Sequence, residues 1–525
     1  MKKHLFKSTM VVSAMTTISR IFGLIRTVVF ATMFGAGMEM DAFVVAFRIP
    51  NFLRRLFAEG GFSQAFVPVL TEYREQRGED EVKALIDQTT ATLGLSVLVT
   101  TVIGMVIAPV VVSVFALGWA FDPHQASFSL AADRAKFDLA VEMLRITFPY
   151  LLFISLTALA GGILNTYRKF AVPAFTPVFL NLSLIACAIW LAPGFPEDKR
   201  VVALAWGVFI AGAVQFLFQL PFLRQLRLLP IPRFGRDSEG VRRIFKLLVP
   251  MLFAVSITQI NLLVDTLIAS FLATSSISWL YYSDRLVEFP LGVFGIALST
   301  VIMPGLSAHY ANDAREEYVK TLDWALRWVF LMAPAAAVGL AILAGPILAT
   351  IFRYHQFTSY DVDMAGISLM AYAVGLPAFI LIKVLATGFF SRQDTATPVK
   401  IGAIAMISNI VFNLLLVGPL LHAGLALATS MSAYLNAGLL YYHLNKHRYY
   451  QVQAGWGVYF LKLGVALAVM AAVLLQFVPD LNHWYQWSVL ARVFHLVLWV
   501  VAGAAVYLVT LLITGIRPRE MISHP

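Results

Sequence analysis

Long apolar runs, each closed by a polar or Gly/Pro-containing stretch, fill most of the chain. A hydrocarbon core about 30 Å thick is crossed by about 20 helical residues, so the runs predict about fourteen membrane-spanning helices. They fall near 9–34, 40–72, 86–116, 137–161, 173–193, 201–223, 245–272, 277–307, 321–344, 363–389, 399–418, 420–443, 457–478 and 489–515. Several exceed the bilayer thickness and are expected to tilt, bend or extend beyond it. The fold class is therefore an all-α polytopic membrane protein.

Composition agrees. Of 525 residues, 59% are hydrophobic and 13% charged, where a soluble domain carries roughly 25% charged residues. The net charge of +10 does not indicate nucleic acid, because the cations lie mostly in short loops rather than on one soluble patch. Roughly 23 Lys and Arg sit at the termini and in the alternate loops on their side, against about six in the opposite loops. Both termini are thus expected in the cytoplasm, which requires an even number of spans. One connection, 224–246, holds Arg224, Arg227, Arg233, Arg236, Arg242, Arg243 and Lys246; an amphipathic segment lying on anionic lipid is expected there. Lys2, Lys3 and Lys7 precede the first apolar run, but no small-x-small cleavage site comes after it, so an uncleaved first span is expected. The single Cys187 excludes a disulfide within the chain and a thiolate metal cluster.

The chain repeats itself loosely. Residues 25–52, IRTVVFATMFGAG…DAFVVAFRIPNF, recur as VDTLIASFLATSS…YYSDRLVEFPLG over 264–292, which places Arg48 on Arg285 and Pro68 near Pro304. A second echo pairs NTYRKFAVPAF from Asn165 with FSRQDTATPVK from Phe390. Each copy starts on the inner side and covers six spans, so the repeats are parallel, with the substrate site expected between them. The expected division is an N-terminal lobe (1–223), a basic connection (224–246), a C-terminal lobe (247–445) and two extra spans (446–525).

No catalytic constellation stands out: there is no GxSxG, Walker A, HExxH or paired CxxC. The signal lies in charges within apolar helices, where each ionised side chain costs about 3 kcal/mol at the bilayer centre and faces a wet cavity or a partner. Asp41, Arg48, Arg54, Arg55 and Glu59 crowd one Pro/Gly-interrupted stretch. Two readings are open there: Arg54 and Arg55 snorkel to a helix end and pair with Glu59, or they line a cationic cavity for an anionic substrate. Arg20 and Arg26 lie six residues apart, about 240° around a helix, so they share a face only if the helix bends near Gly23. Asp284, Arg285 and Glu288 open the eighth span, and Lys383 lies deep in the tenth. Glu142 and Arg145 form an i,i+3 pair with a structural role. Asp265, Asn409, Asn413 and Thr429 offer one anionic and several neutral oxygens, a set suited to Na⁺. Interhelical hydrogen bonding, or a proton taken up by Asp265, fits the same residues. No cofactor is expected other than such a coupling ion, Na⁺ or H⁺.

Three long stretches, GMEMDAFVVAFRIPNFLRRLFAEGGFSQAFVP, YYSDRLVEFPLGVFGIAL and FFSRQDTATPVK, closely resemble the MurJ (MviN) lipid II flippases of the bacterial inner membrane. The likeness runs along nearly the whole chain. It implies the multidrug/oligosaccharidyl-lipid/polysaccharide exporter fold: two six-helix lobes around a central cationic cavity, with two C-terminal helices forming a groove for the lipid tail. It also implies a transporter rather than an enzyme, moving undecaprenyl-pyrophosphate disaccharide-pentapeptide from the inner to the outer leaflet for peptidoglycan synthesis. Substrate-binding positions by that resemblance are Arg20, Arg26, Arg48, Arg54, Arg285 and Lys383. Gating or ion-pair roles fall to Asp41, Arg55, Glu59, Asp284 and Glu288. Some members place sodium in the helices that carry Asp265, Asn409, Asn413 and Thr429. Three departures stand out: the family often has Lys at position 48, Thr27 replaces an acid found in some relatives, and an acid can occupy the position matching Asn413. Partners would be lipid II and membrane lipids, with peptidoglycan-synthesis proteins nearby and the chain working as a monomer. The alternatives are an exporter of another polyprenyl-linked glycan or of drugs, or a polyprenyl-dependent membrane glycosyltransferase. A drug exporter would want an acid-lined cavity, and a glycosyltransferase an extracytoplasmic base that is not evident.

Overall fold

Proline and glycine break several expected spans into short pieces without ending them. The computed structural model describes residues 2–55, 62–122, 127–128, 134–235 and 239–516; Glu59 and Arg236 lie outside these. The chain divides into two compact units, 1–278 and 279–525. The first contains α1 (Lys2–Phe34), α2 (Met38–Arg54), α3 (Phe62–Gln76), α4 (Glu79–Val106) and α5 (Ala108–Phe115). A minimal antiparallel hairpin comes next, β1 (Phe121–Asp122) with β2 (Ser127–Phe128). Then come α6 (Arg134–Thr147), α7 (Tyr150–Thr166), α8 (Ala171–Phe175), α9 (Pro177–Ala186), α10 (Val202–Gln225) and α11 (Glu239–Ala269). At the junction begins α12 (Ser276–Pro290), and the second unit continues with α13 (Ala297–Ala311), α14 (Arg315–Ile342), α15 (Ala344–Ile351) and α16 (Ser359–Phe390). It ends with α17 (Ala396–Lys446), α18 (Trp456–Phe477), the short α19 (Leu481–Gln486) and α20 (Val489–Ile513).

Among the described residues, 11 helices are long and apolar enough to span a membrane. One of them, α17, has 51 residues but is not straight: Leu421 leaves helical geometry at φ 50° and ψ −132°. Residues 416 and 424 would lie about 12 Å apart along an unbroken helix. Instead a Cβ on Gly424 would sit 2.3 Å from the Leu416 carbonyl oxygen, so the chain reverses here and only glycine fits. The segment therefore supplies two of the expected spans, 399–418 and 420–443. The α2–α3 and α11 stretches coincide with the remaining two.

The two units are built on one plan. α4 and α14 each have 28 residues, and each is followed by a single non-helical residue (Ile107, φ −89°; Leu343, φ −90°) and an eight-residue helix. In the first copy the break has a clear cause: Pro109 has no N–H to give to the Met105 carbonyl. Arg145 Nε donates to that oxygen instead, at 3.3 Å. The second echo in the sequence is a shared helix end. Arg168 (φ 60°) and Gln393 (φ 63°) occupy the same left-handed position. In each copy the next residue's N–H reaches back over five, Lys169 to Leu164 at 2.8 Å and Asp394 to Phe389 at 3.1 Å, closing the helix with a 6→1 bond.

The connection after α10 is amphipathic only in its last part, where α11 begins with Arg242, Arg243 and Lys246 exposed and Val241 and Ile244 buried. Residues 228–235 form no helix, since Pro230 and Pro232 remove N–H groups, and Leu228 is buried in the core with Leu85 and Leu223. α11 packs on α3, tied at its start by Arg77–Glu239 (3.1 Å) and Arg243–Glu72 (2.8 Å), and so groups with the first unit.

Candidate functional site: charges inside the spans

In the first unit the expected cations are tethered in different ways. Arg26 is buried, its Nη1 donating to Asn181 Oδ1 at 3.0 Å, with the guanidinium 5.6 Å from the Phe30 ring centroid. Asn181 in turn donates to the Ser19 carbonyl at 3.0 Å, so α9 fixes the arginine against α1. Arg20 is exposed; the two arginines of α1 therefore differ in environment, as their 240° separation dictates. Thr27, where some relatives have an acid, is buried and donates to the Gly23 carbonyl at 2.9 Å.

Arg48 Nη1 reaches α11, donating to Thr266 Oγ1 and to the Leu262 carbonyl at 3.4 Å. Arg54 turns its Nε and Nη2 onto Asn51 Oδ1, at 3.0 and 2.9 Å. Arg55 is half-buried beside it. Glu142 and Arg145 do not pair with each other: Glu142 binds Lys199 at 2.8 Å, and Arg145 goes to the backbone break described above.

Asp41 is the most elaborately held of the expected acids. It is 2% exposed and accepts from the Ser275 N–H (2.8 Å), the Ser278 N–H (2.8 Å) and Ser278 Oγ (2.6 Å). These amides open α12, so Asp41 caps that helix from α2. Lys136, which no sequence pattern singles out, lies near enough to act on its charge and is itself 2% exposed. It donates to Thr274 Oγ1 at 3.1 Å and lies 5.3 Å from the Trp119 ring. Ser275 Oγ binds the Ala36 carbonyl at 2.9 Å, and Ser270 Oγ accepts from the Gly118 N–H at 2.9 Å. The turn 270–278 is thus clasped from three sides. A Cβ on Gly118 would lie 2.4 Å from Ser270 backbone atoms. We expect Gly118→Ala to lower the thermal midpoint clearly, as overpacking costs about 1–3 kcal/mol; an unchanged melt would contradict the close approach.

In the second unit Arg285 pairs with Glu288 at 2.7 Å and lies 5.2 Å from the Tyr281 ring, with Asp284 half-buried next to it. Lys383 is exposed on α16. Asn409 and Asn413 are fully buried and hydrogen-bonded to each other (3.1 Å), and Asn409 reaches Thr429 Oγ1 at 3.4 Å across the α17 reversal. The structure brings these three together as an interhelical ladder; Asp265 is half-buried on α11 in the first unit.

A polytopic helical protein, built twice on one plan and holding ionisable side chains within its spans, has the architecture of a membrane transporter. The profile of the family described as "Lipid II flippase MurJ" matches residues 30–498. The chain is 48% identical over 515 residues to the probable lipid II flippase MurJ of Haemophilus influenzae, covering 97% of this chain and 100% of the relative. It is 48% identical over 519 residues to that of Vibrio cholerae, covering 99% and 98%. A solved structure titled "Lipid II flippase MurJ, inward closed conformation" superposes with a TM-score of 0.80 at 26% identity, over 98% of this chain and 100% of that one. An inward-facing multidrug transporter of the MOP superfamily shares the fold alone, with a TM-score of 0.68 at 15% identity over 84% and 98%. The chain belongs to the lipid II flippase MurJ family.

Proposed function

We propose that this protein moves lipid II, the undecaprenyl-pyrophosphate disaccharide-pentapeptide, from the cytoplasmic to the periplasmic leaflet of the bacterial inner membrane for peptidoglycan synthesis. Family membership over nearly the whole chain carries this reading. The residues supply its physics. The pyrophosphate and sugars cannot cross hydrocarbon, because each uncompensated polar group costs several kcal/mol. Guanidinium groups within the spans, Arg26, Arg48 and Arg54 in the first unit and Arg285 in the second, are each suited to charge-assisted donation to a diphosphate, and Arg20 and Lys383 are exposed cations. Alternating access results if the lobes rock about the bound head group while the prenyl chain stays in lipid along α18 and α20. The protein acts as a monomer, with synthesis enzymes as transient neighbours.

Reconstitution with labelled lipid II, with leaflet exchange as the readout, tests the reading; absence of exchange by folded protein would refute it. The same vesicles identify the driving force. If Asp265, Asn409, Asn413 and Thr429 hold Na⁺, an imposed sodium gradient accelerates flipping and Asp265→Asn abolishes the response. Indifference to sodium, with Asp265→Asn like the parent under proton and potential gradients too, leaves those residues structural.

Topology is checked separately. With both termini cytoplasmic, a cysteine at position 125 in a Cys187-free background labels from outside and one at 236 is protected. The reverse pattern would overturn the orientation.

A further inference from the structure

Two carboxylates that the transport reading does not use occupy the same place in the two halves. Asp87 lies eight residues past the first residue of α4, and Asp323 eight past that of α14. Both are buried, at 3% and 5% exposure. Each pairs with a cation one turn away on its own helix: Asp87 with Lys83, and Asp323 with Arg327 at 2.7 Å. Pairing alone does not account for the burial, because a buried ion pair recovers its desolvation only when the remaining lone pairs are also filled.

In both halves the acid takes further hydrogen bonds from one source, the chain that leaves the last helix of the repeat. The first copy exits α10 through Arg227 in left-handed geometry (φ 59°), the second exits α17 through Arg448 (φ 57°), and both ends close with the same 6→1 bond. The first exit chain then delivers the Ile231 N–H to Asp87 Oδ1 at 2.8 Å and the Arg233 N–H to the Asp87 carbonyl at 3.3 Å. It stays against α4 as far as Gly235, where a Cβ would sit 2.5 Å from Gln88 Nε2. The second exit chain delivers Tyr450 OH (2.6 Å) to Asp323 Oδ1, and Trp456, the first residue of α18 where that chain ends, adds its Nε1–H (2.8 Å). Arg327 adds a bond to the Ala454 carbonyl at 3.2 Å and lies 5.0 Å from the Trp456 ring. The donors differ, main chain in one half and side chains in the other. A buried acid, a cation one turn away and the chain it holds recur, although the cation is Lys83 before the acid in one half and Arg327 after it in the other, so the retained feature is the socket and not the sequence that enters it.

We propose that Asp87 and Asp323 are a matched pair of positioning residues for transport. Each fastens the exit chain of its half, so that the helices next in the chain are carried as that half moves: α11 after the first socket, α18 and α20 after the second. Alternating access works only if displacement of one helix is passed to the next without slack, and an exit chain held at one buried acid passes it on. α18 and α20 have further ties to the same unit, Tyr459 OH to the Arg327 carbonyl (2.7 Å), Tyr507 OH to the Leu331 carbonyl (2.6 Å) and Arg492 to the Ala349 carbonyl (3.2 Å). Losing the Asp323 socket therefore loosens their attachment without detaching them.

The test uses full-length protein in nanodiscs for amide hydrogen exchange and in proteoliposomes for lipid II flipping, each normalised to folded protein. Asp87→Ala should speed exchange over 228–235 by about tenfold or more and leave 448–456 at the parental rate. Asp323→Ala should do the converse, and both should slow flipping about tenfold. Asp87→Asn, which keeps the acceptor oxygen and folds more readily, should raise exchange over 228–235 by a smaller factor of about two to five. With Cys187→Ser as background, oxidised Gln88→Cys/Gly235→Cys should restore flipping to Asp87→Ala, and reduction should remove the rescue. Exchange unchanged in the exit chains, or raised evenly through a whole unit, would overturn the sockets. So would parental flipping despite faster exchange, or no rescue by the cross-link. The flipping readout rests on the lipid II reading: a parent protein that moves no lipid II would refute that reading and leave the exchange result standing.

Discussion

Arg26→Ala and Arg285→Ala each abolish complementation of a flippase-depleted cell, while folded protein accumulates at parental levels. Both side chains are arginines inside spans, one in each half, and both are already oriented by neighbours. Asn181 and the Phe30 ring hold Arg26; Glu288 and the Tyr281 ring hold Arg285. Orientation of this kind lowers the entropy lost on binding a diphosphate. Removing one partner of a desolvated charged contact costs about 2–5 kcal/mol, a fall in lipid II affinity of roughly 30-fold to several thousand-fold. Lysine at either site restores the charge without the planar fork, so partial activity is expected. Glu288→Gln sharpens the case, because it frees Arg285 from its ion pair without touching the guanidinium, and affinity should then rise while release slows. The measurement is lipid II binding to purified protein alongside complementation. Full activity of Arg26→Ala and Arg285→Ala would remove the cationic site.

The span pattern was legible because hydrocarbon imposes a length and an apolar composition that no tertiary contact overrides. The α17 reversal was legible too, since Gly418 and Pro419 punctuate the apolar run. The repeat was legible through prolines and basic turns, and its backbone signature, the left-handed Arg168 and Gln393, lies within the aligned segments. Partners were harder to read. Glu142 and Arg145 sit one turn apart and still choose Lys199 and a carbonyl, because Pro109 leaves an acceptor open on a helix far away in sequence. The 224–246 connection reads as basic and amphipathic. Nothing local reveals that Asp87, more than 140 residues earlier, accepts the Ile231 N–H. Lys136 is hidden in the sequence for a related reason. It stands in a short charged stretch, DRAKFD, that looks like an ordinary solvated loop, and only folding buries it.

Asp41→Ala is expected to be the most destabilising of the single substitutions in the first unit. The carboxylate caps the start of α12 with two backbone N–H groups and one hydroxyl, all at 2.8 Å or less. Removing it leaves those donors buried without their acceptor and takes a nearby negative charge from Lys136, and breaking such a buried arrangement costs about 3–5 kcal/mol. Asp41→Asn keeps one acceptor oxygen for the amides and loses the charge, so its loss should be smaller, nearer the 1–3 kcal/mol of one unsatisfied polar group. Lys136→Met keeps the aliphatic stem against Trp119 and removes only the ammonium group. If the two charges act on each other, the double variant Asp41→Asn/Lys136→Met is less destabilised than the sum of the singles, by about 0.5–3 kcal/mol. Thermal unfolding of the four proteins in one lipid composition gives the cycle directly. Strict additivity would show that Lys136 and Asp41 do not act on each other, and a parental midpoint for Asp41→Ala would show that α12 starts without its cap.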